Sequence, residues 1–116
     1  MNLGDLEFCL NVKDINTSLA FYEKLGYKQT DGKVEEGWAI VKNGETILGL
    51  YKGHIQENIL NFRRGDNIFE LAKELKAKGL KFKKDANNED DGSIGASLLD
   101  PDGNEIYLNT HPDELK

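Results

Sequence analysis

One cysteine in 116 residues, Cys9, excludes an intrachain disulfide framework and is the usage expected in a reducing compartment. Long apolar runs are missing as well. No stretch approaches the ~20 residues a membrane-spanning helix needs. The N-terminal MNLGDLEF lacks the basic and apolar regions of a secretory leader, so the expected location is the cytoplasm. Histidine is scarce: His54 falls in a polar linker and His111 in the tail, where both read as surface residues. Positive charge is in deficit, with 15 Lys and Arg against 21 Asp and Glu for a net charge of −6. That balance disfavours nucleic acid, whose phosphates need clustered cations. The basic cluster at Lys73–Lys84 reads as a solvated helix face. Acidity weakly favours a cationic small molecule.

The length suits one domain, 1–116, large enough to bury a core without staples. The leading stretch is Leu6–Tyr27, LEFCLNVKDINTSLAFYEKLGY. Phe8, Leu10 and Val12 alternate with Glu7, Cys9 and Asn11, the period of a strand with one apolar face. Asp14 offers a helix N-cap. Ile15, Leu19, Tyr22 and Leu25 then recur at helical spacing, and Gly26 closes the helix. Tyr27–Val34 reads as a short edge strand with an Asp31-Gly32 turn signal. Gly37–Lys42 and Thr46–Tyr51 form a hairpin through Asn43-Gly44-Glu45, a strong signal because Asn and Gly tolerate positive φ.

Lys52–Glu57 is a polar break, after which the pattern returns. Ile59–Arg64 alternates, Asp66 is the expected cap of a second helix carrying Ile68, Leu71, Ala72 and Leu75, and Gly79 ends it. Leu80–Lys84 reads as a strand and Asp85–Ser93 as a mobile acidic loop. Ile94–Leu99 and Glu105–Asn109 close the chain as a hairpin around Pro101-Asp102-Gly103-Asn104, with a polar tail from Thr110. Asp14 and Asp66 stand 52 residues apart, and Gly26 and Gly79 stand 53 apart. The expected fold is therefore α+β: two βαβββ modules, about 5–52 and 58–110, with helices outside and a concave sheet face between them. Such a concavity suits a ligand.

The paired modules, VKD…SLAFYEKLGY and DPDGNEIYL resemble the vicinal oxygen chelate superfamily, which holds glyoxalase I, bleomycin-resistance proteins, extradiol dioxygenases and fosfomycin-resistance enzymes. The likeness covers essentially the whole chain. It implies a mixed sheet curved into a cup, commonly in a homodimer, with binding or chemistry inside the cup. In metal-using members it also implies four inward His, Glu or Gln ligands on the first and last strand of each module. Carried over, those positions are Glu7, Gly49, Ile59 (Asn58 in a shifted register) and Tyr107. Of the aligned four, Glu7 alone is a good ligand: glycine and isoleucine offer no donor, and a phenol with pKa near 10 is an uncommon one. No metal or other cofactor is therefore expected. Metal-dependent chemistry loses its basis with the ligands, which leans against an enzyme.

On the face opposite the helices, the expected ligand-binding residues are Glu7, Cys9, Asn11, Trp38, Gly49, Tyr51, Asn61, Arg63, Tyr107 and Asn109. Plainer readings stand beside these. Trp38 either stacks a planar ligand or fills the core. Tyr51 and Tyr107 could pack a dimer interface. Cys9 is more often a small buried hydrophobe than a nucleophile. Glu7 needs some partner, with Arg63 a candidate. The reading is a binding or sequestering protein for a small aromatic or cationic molecule, similar to metal-free bleomycin-resistance proteins. The alternative is a metal-dependent glyoxalase-like lyase or isomerase whose donors lie elsewhere.

Overall fold

The computed structural model describes residues 1–110; His111 and the rest of the expected tail lie outside them. The chain is α+β, with two βαβββ modules in succession. It divides into two compact units, Glu7–Ile59 and a second built from Met1–Leu6 with the chain from Leu60 onward. No described helix is long and apolar enough to cross a membrane.

The first unit contains most of β1 (Gly4–Asn11), then α1 (Ile15–Lys24), β2 (Lys28–Lys33), β3 (Trp38–Asn43) and β4 (Thr46–Tyr51). Its strands lie in the order β2-β3-β4-β1. β1 runs parallel to β4, pairing Glu7 with Ile47, Cys9 with Gly49 and Asn11 with Tyr51. β3 and β4 are antiparallel, with Trp38 opposite Tyr51 and Ile40 opposite Gly49. Asp14 caps α1 as expected, its carboxylate accepting the Thr17 N–H at 3.0 Å.

The helix sets Ile15 against Ala39, Val41 and Leu50, with Leu10, Val12, Leu19 and Tyr22 around them. Two expected core residues are not there. Phe8 is 37% exposed and Leu25 57% exposed. α1 packs on β3 and β4, so only the Leu10–Val12 end of the first strand reaches its cover. Leu25 is already the C-cap, past the helical geometry. The Asp31-Gly32 signal is not a turn: the two residues pair with Ile40 and Ala39 just past a bulge. β2 continues through it with a register shift between Gln29 and Asp31. Gly32 has φ +110°, and a Cβ there would stand 2.5 Å from the Ala39 Cα.

The second unit holds β5 (Ile59–Arg64, its first residue counted with the first unit), α2 (Ile68–Ala77), β6 (Lys84–Asn88), β7 (Ile94–Leu99) and β8 (Glu105–Thr110), ordered β5-β8-β7-β6. Ile68, Ala96 and Leu108 centre its core, with Phe62, Leu75, Phe82, Ala86 and Ile106 packed around them. Three expectations shift here. Asn67, not Asp66, caps α2 and accepts the Glu70 N–H at 3.2 Å. Asp66 instead accepts the Asn2 N–H at 2.9 Å.

The strand expected at Leu80–Lys84 begins only at Lys84. The Leu80 N–H first returns to the Leu75 carbonyl in the helix-ending turn. The expected mobile loop is largely that strand and a tight turn. Ala86 packs into the core, and the Glu89 N–H bonds the Ser93 carbonyl. Ser93 is 1% exposed, its N–H and Oγ both bonded to Asp91. Acidic composition hid a strand whose polar side chains point away from its core contact.

Candidate functional site

In each unit the helix covers one sheet face. The other carries most of the polar and aromatic candidates. In the first unit, cross-strand pairing puts Glu7, Cys9, Asn11, Trp38, Gly49 and Tyr51 on that second face. This settles the side of Trp38: it stands half-buried beside Tyr51, away from the helix core.

Glu7 is 1% exposed although it is a carboxylate on a short strand. Its Oε2 accepts from the Cys9 thiol at 3.1 Å and from the Tyr51 hydroxyl at 3.4 Å. Buried charge is tolerated only when hydrogen bonds replace its water. Gly49 makes the second bond possible. A Cβ there would stand 2.6 Å from Tyr51 Cε2 and 3.1 Å from Glu7 Oε2, so the tyrosine ring lies across the glycine to reach the carboxylate.

Asn11 takes a different part. It is exposed; its backbone N–H bonds Asn58 Oδ1 at 2.9 Å and its side chain bonds the Gln56 carbonyl at 3.1 Å. It ties down the linker rather than presenting a free amide. His54 is exposed, as expected, with Nε2 2.7 Å from the Glu36 carbonyl oxygen and its ring 6.2 Å from that of Tyr51.

In the second unit, Phe62 packs into the core, so Asn61 and Arg63 take the opposite face of β5. Asn61 is buried and Arg63 half-buried. Tyr107 and Asn109 share the helix-free face of β8. The Asn109 amide donates to the Tyr107 hydroxyl at 3.0 Å, and that hydroxyl donates to Glu89 Oε1 at 3.2 Å. Lys84 Nζ reaches both Glu89 oxygens, at 3.1 and 2.8 Å. Burial, with the Glu89 charge adding to it, pushes the Tyr107 phenol up to about 12. Glu89, Lys84 and Gly95 escaped the sequence reading. The available signal was a second mid-strand glycine, Gly95, in the segment facing Tyr107.

These residues do not fit the metal that the superfamily resemblance implies. Gly49 supplies no donor, and the ring of Tyr51 fills the space its side chain would take. Asn58 Oδ1 is committed to the Asn11 N–H. The Tyr107 hydroxyl is engaged on both sides, accepting from the Asn109 amide and donating to Glu89. Among the described residues, no three His, Cys, Asp or Glu side chains are grouped to hold a metal ion.

A βαβββ module with one helix-covered face and one polar face, used twice in succession, defines a glyoxalase-type architecture. The sequence profile of the Glyoxalase/Bleomycin resistance protein/Dioxygenase superfamily matches residues 6–108, and the chain belongs to that superfamily. No curated protein matches it. Among solved structures, it is similar to one described as an NAD-dependent benzaldehyde dehydrogenase from Legionella pneumophila. Identity there is 18% and the TM-score 0.70, over 91% of this chain and 98% of that one. A superfamily member from Vibrio splendidus 12B01 gives 14% and 0.64, over 90% and 97%. Methylmalonyl-CoA epimerase from Mycobacterium tuberculosis gives 13% and 0.61, over 97% and 89%. At such identities what is shared is the fold.

Proposed function

We propose that this chain is a single-domain small-molecule binding or sequestering protein of the superfamily, nearest in kind to its bleomycin-resistance-like members. It works without a resident metal, as a homodimer in the cytoplasm. One observation carries the reading: Tyr51 lies across Gly49 and bonds Glu7, so two positions that would serve a metal serve each other instead.

Trp38 and Tyr51 stand side by side on that face and offer π surface to a planar or cationic ligand. A net charge of −6 favours the approach of a cation. Cys9 contributes a soft wall beside Gly49. Asn61, Arg63, Tyr107 and Asn109 supply polar groups on the helix-free face of the second unit. Phe8, Phe21 and Leu25 leave apolar surface that a second copy would cover. Sequestration of a drug in this way would confer antibiotic resistance.

The test is a titration with a cationic planar drug, following the fluorescence of the single tryptophan. Saturable quenching that raises Tm and weakens in Tyr51→Leu supports the reading. No change in either signal overturns the drug-binding form of it.

A further inference from the structure

Glu89 belongs to the edge strand's turn, yet its carboxylate sits over β7 and meets a tyrosine of β8. Crossing two strand spacings covers about 10 Å. The crossing is possible because β7 carries a glycine beneath it. A Cβ on Gly95 would collide with the Tyr107 hydroxyl and stand 2.8 Å from Glu89 Oε1. Gly95 does not need its glycine for a left-handed backbone, since its φ is not positive. The glycine is there for space.

What fills that space is a carboxylate held by a complete set of partners. Lys84 supplies a cation to both oxygens, and Tyr107 supplies a hydroxyl donor. The Asn109 amide donates to that hydroxyl and so fixes which way it donates. The Glu89 side chain is 19% exposed, against 54% for Lys84, so the cation has access to solvent while its carboxylate guest is largely enclosed.

We propose that Lys84, Tyr107 and the Gly95 notch form a carboxylate-binding subsite that the chain's own Glu89 occupies as an internal ligand. The class of external ligand is a small carboxylate, which would make the same charge-assisted bonds once the Glu89 side chain rotates off the notch. A tethered competitor acts at high effective concentration, so the wild-type chain binds free carboxylates weakly. Glu89 is in this sense an autoinhibitory contact. The subsite lies wholly within the second unit and is independent of the Trp38–Tyr51 face.

The experiment is chemical rescue. Glu89→Ala is titrated with sodium acetate at constant ionic strength, with sodium chloride as the balancing salt, and Tm is followed. The expected result is a saturable rise in Tm of a few degrees, absent in the wild type and abolished in Glu89→Ala/Lys84→Met. A response no larger than that of chloride, or one that survives loss of Lys84, overturns the proposal. Glu89→Gln provides a second measurement should the alanine variant fail to fold. The neutral amide is a weaker competitor, so acetate stabilises this variant more than wild type. Equal acetate responses in the two contradict the subsite.

Discussion

The Tyr51 hydroxyl lies 3.4 Å from Glu7 Oε2, and its ring reaches that carboxylate by crossing the bare Cα of Gly49. Glycine, tyrosine and glutamate are therefore one packing unit in the first βαβββ module. The Cys9 thiol completes it from the strand position paired with Gly49. Each residue's identity depends on the other two.

Gly49→Ala places a methyl within 2.6 Å of the Tyr51 ring. Overpacking of this kind costs about 1–3 kcal/mol. Tyr51→Leu removes the obstructed ring, so the double variant loses less stability than the two single variants together. Urea unfolding of the four proteins measures the coupling.

Tyr107 makes stability fall on the alkaline side. Its folded pKa of about 12 stands above the 10.0 of an ordinary tyrosine phenol. The contribution is therefore complete below pH 10 and lost as pH rises through about 12. Tyr107 ionises late in a spectrophotometric titration. Tyr107→Phe removes the late step, and its Tm deficit against wild type, constant below pH 10, narrows as pH rises from 10 towards 12.

Asp100 acts at the acid end. Its carboxylate accepts the Asn104 side-chain amide at 2.8 Å and the N–H groups of Asn104 and Asp102 at 2.8 and 2.9 Å, bonds that hold its pKa below 3.8. The stabilisation is present above that value and lost as pH falls through the lowered one. Asp100→Asn lowers Tm at neutral pH and shows a shallower acid limb than wild type between pH 5 and pH 2.

The second helix separates two adjacent capping candidates. Asn67→Ala removes the bond to the Glu70 N–H and costs about 1 kcal/mol. Asp66→Ala leaves that bond intact, and α2 keeps its amide protection. Hydrogen exchange at Glu70 distinguishes the two variants.

The elements that local chemistry specifies were legible in the sequence. The Asp14 cap, the Gly26 and Gly79 helix ends and the Gly44 hairpin each follow from residues a few positions apart. The strands β4, β5 and β7 have the bounds their apolar patterns predict. Asp66 and Asn67 are chemically interchangeable as caps, so only the Asp66–Asn2 contact, 64 residues apart, decides between them.

Phe8 has the right period for the core, but its burial depends on where α1 crosses the sheet. β6 was hidden because its apolar content is little more than Ala86 among acids and amides. At the candidate site, the parity of Glu7, Cys9, Gly49 and Tyr51 was readable from alternation. The Glu89–Tyr107 bond was not: it joins residues 18 apart across an intervening strand, and local pattern carries no record of it.

The most direct test of the central claim is a drug titration read at Trp38 before and after exhaustive chelation, with metal content measured on both samples. The account predicts one saturable curve, unchanged by the chelator, from protein holding substoichiometric metal. Stoichiometric divalent metal that is lost on Glu7→Ala, with binding abolished by chelation and restored by adding the ion back, would contradict it.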